Sequence, residues 1–260
     1  MAKYTASGPF TRLRADQVEM LDEVPADPVG IGEVVRGLVI HVSEAGQAGV
    51  PAERLGEKDI RPAAAILGAA LAVDPAPLVK PREPARRVVG TCRDFVVLGV
   101  ALMRARGMAA RARAGFATYF QPGRSVDHWV AEYRHSGSWP RYDVEHDRWP
   151  GAEFQTGGEA WRAYRAGADP ATFGVLGTEH AWGVGEIRGN AVRDLAALCD
   201  REMLPWDEWG RMTASYDGRT GDDYDLLMDR IAAACGSGDD AAVAAIYASE
   251  DLAVPETMVG

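Results

Sequence analysis

A strong helix signal between residues 90 and 107 is followed directly by residues whose hydrophobic period is two. In the segment GTCRDFVVLGVALMRARG, Thr91 and Asp94 have the spacing of a capping box, and Gly107 follows the arginines at the other end. Residues 95–103 are apolar on nearly every side, which is typical of a helix buried on most of its faces. We therefore predict a buried helix that begins at Cys92, immediately after an N-cap at Thr91.

Three alternating stretches after this helix predict strands. They are residues 109–120, 126–135 and 139–146, and the pair Ser136-Gly137 between the last two is typical of a hairpin turn. Most of the remaining chain has helical periodicity, with helices expected at 29–46, 60–73, 157–167, 190–204, 222–236 and 239–250. A proline-rich extended connection is expected at 74–84. Helices around one central antiparallel sheet define an α+β fold.

Composition and charge exclude several classes of function. The 260 residues carry 28 Lys and Arg against 38 Asp and Glu, a net charge of −10, so no overall attraction to nucleic acid or to an anionic membrane is expected. No apolar stretch approaches the ~20 residues of a transmembrane helix, and the first residues lack the apolar region of a signal peptide. The 3 cysteines form no CxxC pair, which fits a reduced cytoplasm. We expect a cytoplasmic protein with no nucleic-acid or membrane partner.

Cys92 is the cysteine best placed for nucleophilic chemistry. The positive end of a helix dipole stabilises a thiolate, and Cys92 is predicted to be the first residue of a helix. Arg93 would favour the thiolate further, and Asp94 would oppose it. Cys199 and Cys235 lie late in predicted helices, where the dipole acts in the opposite direction. The alternative interpretation of Cys92 is a small core residue.

A thiol nucleophile needs a base, and the base needs a group that holds its tautomer. His128 lies on the second predicted strand and Asp143 on the third. A hairpin between these two strands would bring His128 and Asp143 side by side. The chain order Cys, helix, strand, His, strand, Asp is therefore the order expected of a Cys-His-Asp triad. The backbone N–H of Cys92 is a candidate oxyanion donor.

At these residues the chain resembles the transglutaminase-like superfamily of papain-like cysteine enzymes, and within it a bacterial subgroup. The superfamily pattern has a Cys at the start of a helix, an Arg-x-x-Gly-x-x-x-Arg-x-x-x-Gly-Phe run, a segment with His, Trp and Glu, and an Asp that follows a Trp. The corresponding segments are GTCRDF (90–95), RARGMAARARAGF (104–116), DHWVAEY (127–133) and SWPRYD (138–143). The stretch 187–210 also resembles the C-terminal extension of that subgroup.

The resemblance implies a transglutaminase-like, papain-like fold and cysteine-dependent acyl transfer through a thioester. It makes Cys92 the nucleophile, His128 the base and Asp143 the orienting carboxylate. It also implies one compact domain with three regions. These are an N-terminal helical region (1–85), a catalytic core (86–150) and a mainly helical C-terminal extension (151–260).

We expect the substrate to be a small-molecule or peptide-like amide, and the reaction to be hydrolysis or acyl transfer. One alternative is an amide-bond-forming acyltransferase in a biosynthetic pathway, supplied with a thioester by a carrier protein. The other is a non-catalytic scaffold that keeps the fold. No cofactor is expected, and no set of residues has the spacing of a zinc or calcium site, so no metal is expected either.

The identity of the third triad member depends on strand register. In a regular hairpin Glu145 is opposite His128, since both are about eight residues from the predicted turn. The resemblance instead selects Asp143, which a β-bulge near Pro140 or a wider turn would bring into register. Asp143 and Glu145 are expected to share one strand face, and Asp147 is expected to lie beyond the strand.

Four further side chains are candidates for substrate binding. Trp129 stands beside the predicted base, and His180 lies in a glycine-rich loop. Arg111 and Arg113 share one strand face and could bind a carboxylate, with ion pairs inside the protein as their alternative role. His41 lies within a predicted helix and is expected to be a core residue with one hydrogen bond.

Overall fold

The computed structural model describes residues 3–249 and 251–259. The chain divides into two compact units, each with its own internal contacts. The first unit comprises Met1–Ala112 and Val130–Trp149, and the second comprises Arg113–Trp129 and Pro150–Gly260. These boundaries differ from the three regions expected from the sequence, because residues 113–129 group with the C-terminal part of the chain.

The described residues form helices and short strands that are joined by turns and loops. The α-helices are α1 (Ala15–Glu19), α2 (Pro28–Leu38), α3 (Val42–Ala45), α4 (Ala63–Val73), α5 (Cys92–Ala105), α6 (Gly157–Arg165), α7 (Val184–Leu198), α8 (Met212–Tyr216), α9 (Asp222–Ser237) and α10 (Asp240–Tyr247). The β-strands are β1 (Val39–His41), β2 (Val88–Gly90), β3 (Ala110–Ala117), β4 (Ser125–Tyr133), β5 (Arg141–Tyr142), β6 (Phe154–Thr156) and β7 (Phe173–Gly174). This mixture of helices and sheet is an α+β architecture, as predicted. Within the described ranges, no helix is both long and apolar enough to cross a bilayer.

The strands form one pair, β1 with β2, and a five-stranded sheet in the order β5-β4-β3-β6, with β7 also beside β4. The pairs β3–β6 and β4–β5 are antiparallel, as expected. The pair β4–β7 is parallel, so the expectation of a wholly antiparallel sheet is wrong. A parallel neighbour requires a long connection, and here α6 lies in that connection.

Helix α5 begins at Cys92 and ends at Ala105, as its sequence predicts. Every residue from Cys92 to Arg104 is buried, and α5 packs against α2 and α4 within the first unit. Gly107 has a φ of +84° just after the helix, a left-handed conformation that suits glycine. Arg104 Nε donates to the carbonyl of Ala110 at 2.8 Å and ties this end of the helix to β3.

The predicted single helix at 29–46 is wrong over Val39–His41, where a strand separates α2 from α3. Helix α2 ends at Leu38, and Val39–His41 form β1, which pairs in parallel with β2. Two β-branched residues open this strand and favour extended backbone, and the neighbouring strand satisfies their backbone groups. His41 is therefore not a helix core residue. It is the N-cap of α3, where its Nδ1 accepts a hydrogen bond from Ser43 N–H at 3.2 Å.

The hairpin between β4 and β5 has the tight turn that the sequence predicts. Ser136 and Gly137 both have positive φ values, 47° and 85°, as a type I′ turn requires. Over residues 131–142, all of which the structure describes, the ladder keeps one register as far as the pair Ala131–Tyr142 and has no bulge. The bulge expected near Pro140 is therefore wrong.

Strand β5 ends at Tyr142, earlier than predicted. The next residues form a turn that is closed by the backbone bridge between Asp143 and Arg148, in which Asp143 N–H donates to the Arg148 carbonyl at 2.8 Å. Asp143 and Glu145 consequently do not share a strand face, and that expectation is wrong. An aspartate side chain that bonds nearby backbone N–H groups offers the chain a turn in place of a strand ladder.

In the second unit, α6, α7 and α9 pack against one another. Gly157 opens α6 where the backbones come close, since a Cβ there would lie 2.3 Å from the Asn190 backbone. Helix α7 begins at Val184, earlier than the predicted start, and ends at Leu198. Gly183, with a φ of +113°, supplies the turn into this helix. The helices predicted at 157–167, 222–236 and 239–250 are found close to those positions.

Candidate active site

The Cys92 thiol stands at the first turn of α5, in the first unit. Thr91 is the N-cap, with extended backbone, and its N–H and Oγ1 donate to Asp94 Oδ2 at 2.7 and 3.1 Å. Asp94 therefore fills the return half of the predicted capping box. Cys92 is 7% exposed, so its thiol lies at the positive end of a buried helix with little water around it. Cys199 caps the end of α7 and Cys235 lies in the last turn of α9, as predicted.

The charges next to Cys92 cancel each other. Arg93 NH1 donates to Asp94 Oδ1 at 2.8 Å, and both side chains are almost completely buried. The sequence interpretation set Arg93 and Asp94 against each other as separate influences on the thiol. As a buried ion pair they contribute little net charge, which leaves the helix dipole as the main local field of α5 at Cys92.

Asp143 is held by the turn that follows β5. Its Oδ1 accepts the backbone N–H groups of Glu145 and His146, each at 3.0 Å. Its Oδ2 lies 3.2 Å from His146 Nδ1. The carboxylate is completely buried and is fixed in one orientation by its own turn.

Arg36 of α2 holds the same turn from outside. Its NH1 donates to the Val144 carbonyl at 2.9 Å and to the Tyr142 hydroxyl at 3.1 Å, and its NH2 lies 3.4 Å from Asp147 Oδ2. Burial and the hydrogen bond to Asp147 raise the pKa of Tyr142 to about 12, so the phenol remains a donor. Val144 packs into the space beside Gly99 of α5, where a Cβ would meet its methyl groups at 3.2 and 3.3 Å.

Glu145 and His146 bring additional ionisable groups to the thiol. A Glu145 carboxylate oxygen lies within 4.8 Å of Cys92 Sγ, and Glu145 Oε1 is 4.0 Å from His146 Nε2. Burial lowers the pKa of His146, but the hydrogen bond with Asp143 and the charges of Glu145, Asp143 and Glu44 outweigh it and raise that pKa. His146 is thus an imidazole favoured in its charged form, next to a carboxylate that reaches towards Cys92.

From the sequence alone, Glu145 is only an alternative to Asp143, and His146 has no role. The segment DVEHDRWPG contains a usable signal, because Asp, Pro and Gly this close together favour a turn over a continued strand. A turn that starts at Asp143 and closes at Arg148 keeps the intervening residues close to the end of β5. The reach of Glu145 to Cys92 depends on tertiary packing and has no local signal.

His128 belongs to the second unit, on β4, and is 2% exposed. Its ring contacts two aromatic rings edge to face, with centroid distances of 4.9 Å to Phe120 and 6.0 Å to Tyr119. This apolar packing limits the movement of the imidazole, and a general base has to be held in position.

A second group of buried polar residues stands beside His128 in the chain. Asn190 Nδ2 donates to Asp127 Oδ1 at 2.7 Å. Arg193 NH1 donates to the Tyr216 hydroxyl at 3.0 Å, which lies 3.3 Å from Glu186 Oε2. Although Asp127 keeps some exposed surface, its carboxyl group is desolvated, and burial raises the pKa of Asp127 and of Glu186. The positive charge of Arg193 opposes both shifts.

Two of the predicted substrate-binding residues form ion pairs inside their units. Arg111 NH2 lies 2.7 Å from Glu132 Oε2, and the guanidinium stacks 4.2 Å from the Trp139 ring. Arg113 forms a two-pronged pair with Asp194, with both N–O distances at 2.8 Å. The alternative role in ion pairs, which the sequence left open, is therefore the one that these contacts support.

Trp129 and His180 have opposite surroundings. Trp129 is completely buried, and its indole N–H has no hydrogen-bond partner among the described residues. His180 is exposed in the loop that precedes α7. Substrate binding by either residue stays a prediction.

A surface cavity of about 220 Å³ opens in the first unit between α2 and the proline-rich connection. It is lined by Glu33, Val34, Arg36, Gly37, Leu78, Val79, Pro81 and Arg87. Neither Cys92 nor Asp143 lines it, so this cavity and the reactive groups do not coincide. The reactive groups define the candidate site, because a reaction requires them and a surface hollow alone supplies no reactive group.

Comparison with known proteins adds little to this description. No protein-family model and no curated protein matches the chain. Among solved structures, the chain is similar to a "putative cysteine protease" from Cytophaga hutchinsonii, with 18% identity, over 59% of this chain. The match spans half the length of that protein (50%), and its TM-score is 0.24. A TM-score this low supports no functional argument. The argument for function therefore rests on the chemistry of the residues.

Proposed function

We propose that this protein is a cysteine-dependent amide or peptide hydrolase in which Cys92 forms a thioester with the acyl half of its substrate. His128 acts as the base and Asp143 orients it. We further propose that the fold is transglutaminase-like, since α5, β3, β4 and β5 follow one another in the order that the sequence resemblance implies.

The position of Cys92 carries the proposal. A thiol at the first residue of a helix that is buried from Cys92 to Arg104 lies in a positive field with little water to compete for it. A core cysteine has no need of that position or of the buried carboxylate that Asp143 supplies within the same unit. The edge-to-face aromatic packing of His128 supports its assignment as a positioned base.

The chemistry proceeds in two steps. The Cys92 thiol gives its proton to His128 as the sulfur bonds to the substrate carbonyl carbon, and His128 returns that proton to the leaving amine as the C–N bond breaks. His128 then takes a proton from water while the water oxygen bonds to the thioester carbon. The C–S bond breaks, the acid is released, and the proton returns to the thiol. The Cys92 backbone N–H is the candidate donor to the oxyanion.

The test is a search for the acyl-enzyme. Purified protein is incubated with fractionated cell extract, quenched in acid and analysed by intact and peptide mass spectrometry. We expect an acyl adduct on Cys92 that hydroxylamine removes and that is absent from Cys92→Ala. Cys235→Ala, which removes a buried cysteine far along the chain, is the matched control and should keep the adduct. An adduct on another cysteine, or full substrate turnover by Cys92→Ala, would refute the proposal.

A further inference from the structure

We propose that the surface cavity of the first unit binds a free α-amino acid with an apolar side chain. The carboxylate of this ligand meets Arg87, its ammonium group meets Glu33, and its side chain lies on the apolar part of the lining. Cys92 does not line the cavity, so the inference does not depend on the proposed function.

Two opposite charges line the cavity without a partner in the protein. Arg87 Nε donates to the Arg82 carbonyl at 2.9 Å, and within the described ranges its NH1 and NH2 donate to no acceptor. These two groups of one guanidinium form a fork that binds a carboxylate through both oxygens. The exposed Glu33 side chain, on α2, forms no hydrogen bond or ion pair with any described residue. Its carboxylate is therefore open to an ammonium group.

The third charged residue of the lining, Arg36, is already engaged. It donates to the Tyr142 hydroxyl and the Val144 carbonyl, and it forms an ion pair with Asp147. Once that pair is balanced, the lining presents one cation and one anion. A zwitterion is complementary to both, whereas a simple anion meets a repulsive charge at Glu33 and a simple cation meets one at Arg87.

The rest of the lining is mostly apolar, and the space is small. Val34, Leu78, Val79 and Pro81 supply the apolar surface. Val79 is 39% exposed, so an aliphatic side chain placed against it would remove apolar surface from water. A volume of about 220 Å³ is below the ~300–1,000 Å³ of pockets for drug-sized ligands. The cavity therefore suits one small molecule.

The walls of the cavity are held in place without a ligand. Arg82 is 3% exposed, and its guanidinium donates to the carbonyls of Pro77 and Lys80 at 2.8 and 2.7 Å. Its backbone N–H donates to the Gly37 carbonyl at 2.9 Å, which ties the proline-rich connection to α2. Gly37 allows this approach, since a Cβ there would lie 3.1 Å from Pro81 Cα. A preformed site loses less conformational entropy on binding.

The experiment titrates the full chain with three probes that share one aliphatic body. Leucine has both charges, leucinol lacks the carboxylate, and 4-methylpentanoate lacks the ammonium group. None of them contains an amide bond, so the acyl chemistry proposed for Cys92 is not engaged. Ligand-observed NMR at about pH 6.5, below the ordinary α-amino pKa of about 7.7–8.0, measures the three dissociation constants.

We expect leucine to bind with a dissociation constant of about 1 mM or less. Leucinol should bind about tenfold to a hundredfold more weakly, the range for a hydrogen-bonded charged group. The pentanoate should bind about twofold to fivefold more weakly, because Glu33 is exposed and its ion pair is screened by water.

Variants assign each charge to its residue. Arg87→Gln should abolish the difference between leucine and leucinol, and Glu33→Gln should abolish the difference between leucine and the pentanoate. Arg86→Gln is the matched control, because Arg86 precedes Arg87 in the chain, pairs with Asp74 and does not line the cavity. It should keep both differences.

Three outcomes would overturn the inference. They are the absence of leucine binding at millimolar concentrations, equal binding of the three probes, and charge preferences that persist in Arg87→Gln and Glu33→Gln. Thermal unfolding of each variant shows whether it is folded. If Arg87→Gln is not, Glu33→Gln decides alone, since the Glu33 side chain has no contact of this kind within the described chain to lose.

Discussion

Asp143 in the first unit and Asp127 in the second are buried in different ways. Asp143 accepts two backbone N–H groups of its own turn and lies beside an imidazole that favours the charged form. Asp127 accepts an amide N–H from Asn190 and is subject to the same Arg193 charge as Glu186, and burial raises the pKa of both carboxyl groups. The first arrangement supplies hydrogen-bond donors that favour the carboxylate form, and in the second the loss of water favours the neutral form.

The difference teaches which buried carboxylate can serve a catalytic imidazole. A group that orients a base must stay ionised through the reaction, and the two backbone N–H donors at Asp143 favour that form. At Asp127 the hydrogen bond from Asn190 links β4 to α7 inside the second unit, and burial raises the pKa of the carboxyl group. The comparison gives three predictions and a closing measurement.

The largest effect is expected from Asp143→Ala. The substitution removes two charge-assisted hydrogen bonds from a closed turn, and we expect it to lower the free energy of unfolding by about 3 kcal/mol or more. Asp127→Ala, which removes one hydrogen bond and a carboxyl group that is costly to ionise, should cost about 1 kcal/mol or less. Denaturant titration of both variants measures the two losses in free energy of unfolding. Equal losses would contradict the difference proposed between Asp143 and Asp127.

The pH dependence of stability sharpens the same comparison. The pKa values of Asp127 and Glu186 are raised in the folded chain, so the folded state holds protons that the unfolded state has released. Stability must therefore fall as the pH rises from the ordinary carboxyl range, about 4, through the raised folded pKa values, by up to about 1.4 kcal/mol per pH unit for each proton.

Replacing both groups removes this slope. The free energy of unfolding of the double variant Asp127→Asn with Glu186→Gln should depend less on pH above about pH 4. Its stability relative to wild type should therefore increase as the pH rises. Thermal unfolding across a pH series provides the measurement, with Asp22→Asn as an exposed control. A wild-type profile that rises through this range would mean that neither carboxyl group is protonated in the fold.

A smaller effect is expected from substitution of Gly99, the residue of α5 against which Val144 of the Asp143 turn packs. In Gly99→Ala the new methyl group meets the buried Val144 at 3.2 Å. The higher helix propensity of alanine stabilises the fold by about 1 kcal/mol. The crowded contact destabilises it by about 1–3 kcal/mol. Gly158→Ala meets the Ala232 backbone at 3.1 Å in the second unit and is the matched control. We expect both to lose up to about 2 kcal/mol, and Gly99→Ala alone to slow Cys92 alkylation.

Helix α5 could be predicted to the residue, because its signals are local. The Thr91 cap, the apolar residues that follow, and Gly107 each act within one or two turns of chain. The Ser136-Gly137 turn was predictable for the same reason, since positive φ at both positions suits this pair.

The features that the sequence did not predict depend on contacts between residues far apart in the chain. Strand β1 interrupts a helical pattern because β2, far along the chain, offers a parallel partner. Strand β5 ends early because Arg36 and Asp143 stabilise a turn. The hairpin arithmetic gave the correct register around the turn, but it assumed a strand that continues to Glu145, where the chain has already left the sheet.

The rate of Cys92 alkylation as a function of pH tests the central claim most directly, in wild type, His128→Ala and His146→Ala. We predict that wild-type Cys92 reacts faster than Cys199 and Cys235, with a midpoint below the ordinary thiol value of about 8.5. His128→Ala should move this midpoint upwards, and His146→Ala should leave it nearly unchanged. A midpoint at the ordinary value in wild type, or one that moves in His146→Ala and not in His128→Ala, would contradict the assignment of His128 as the base.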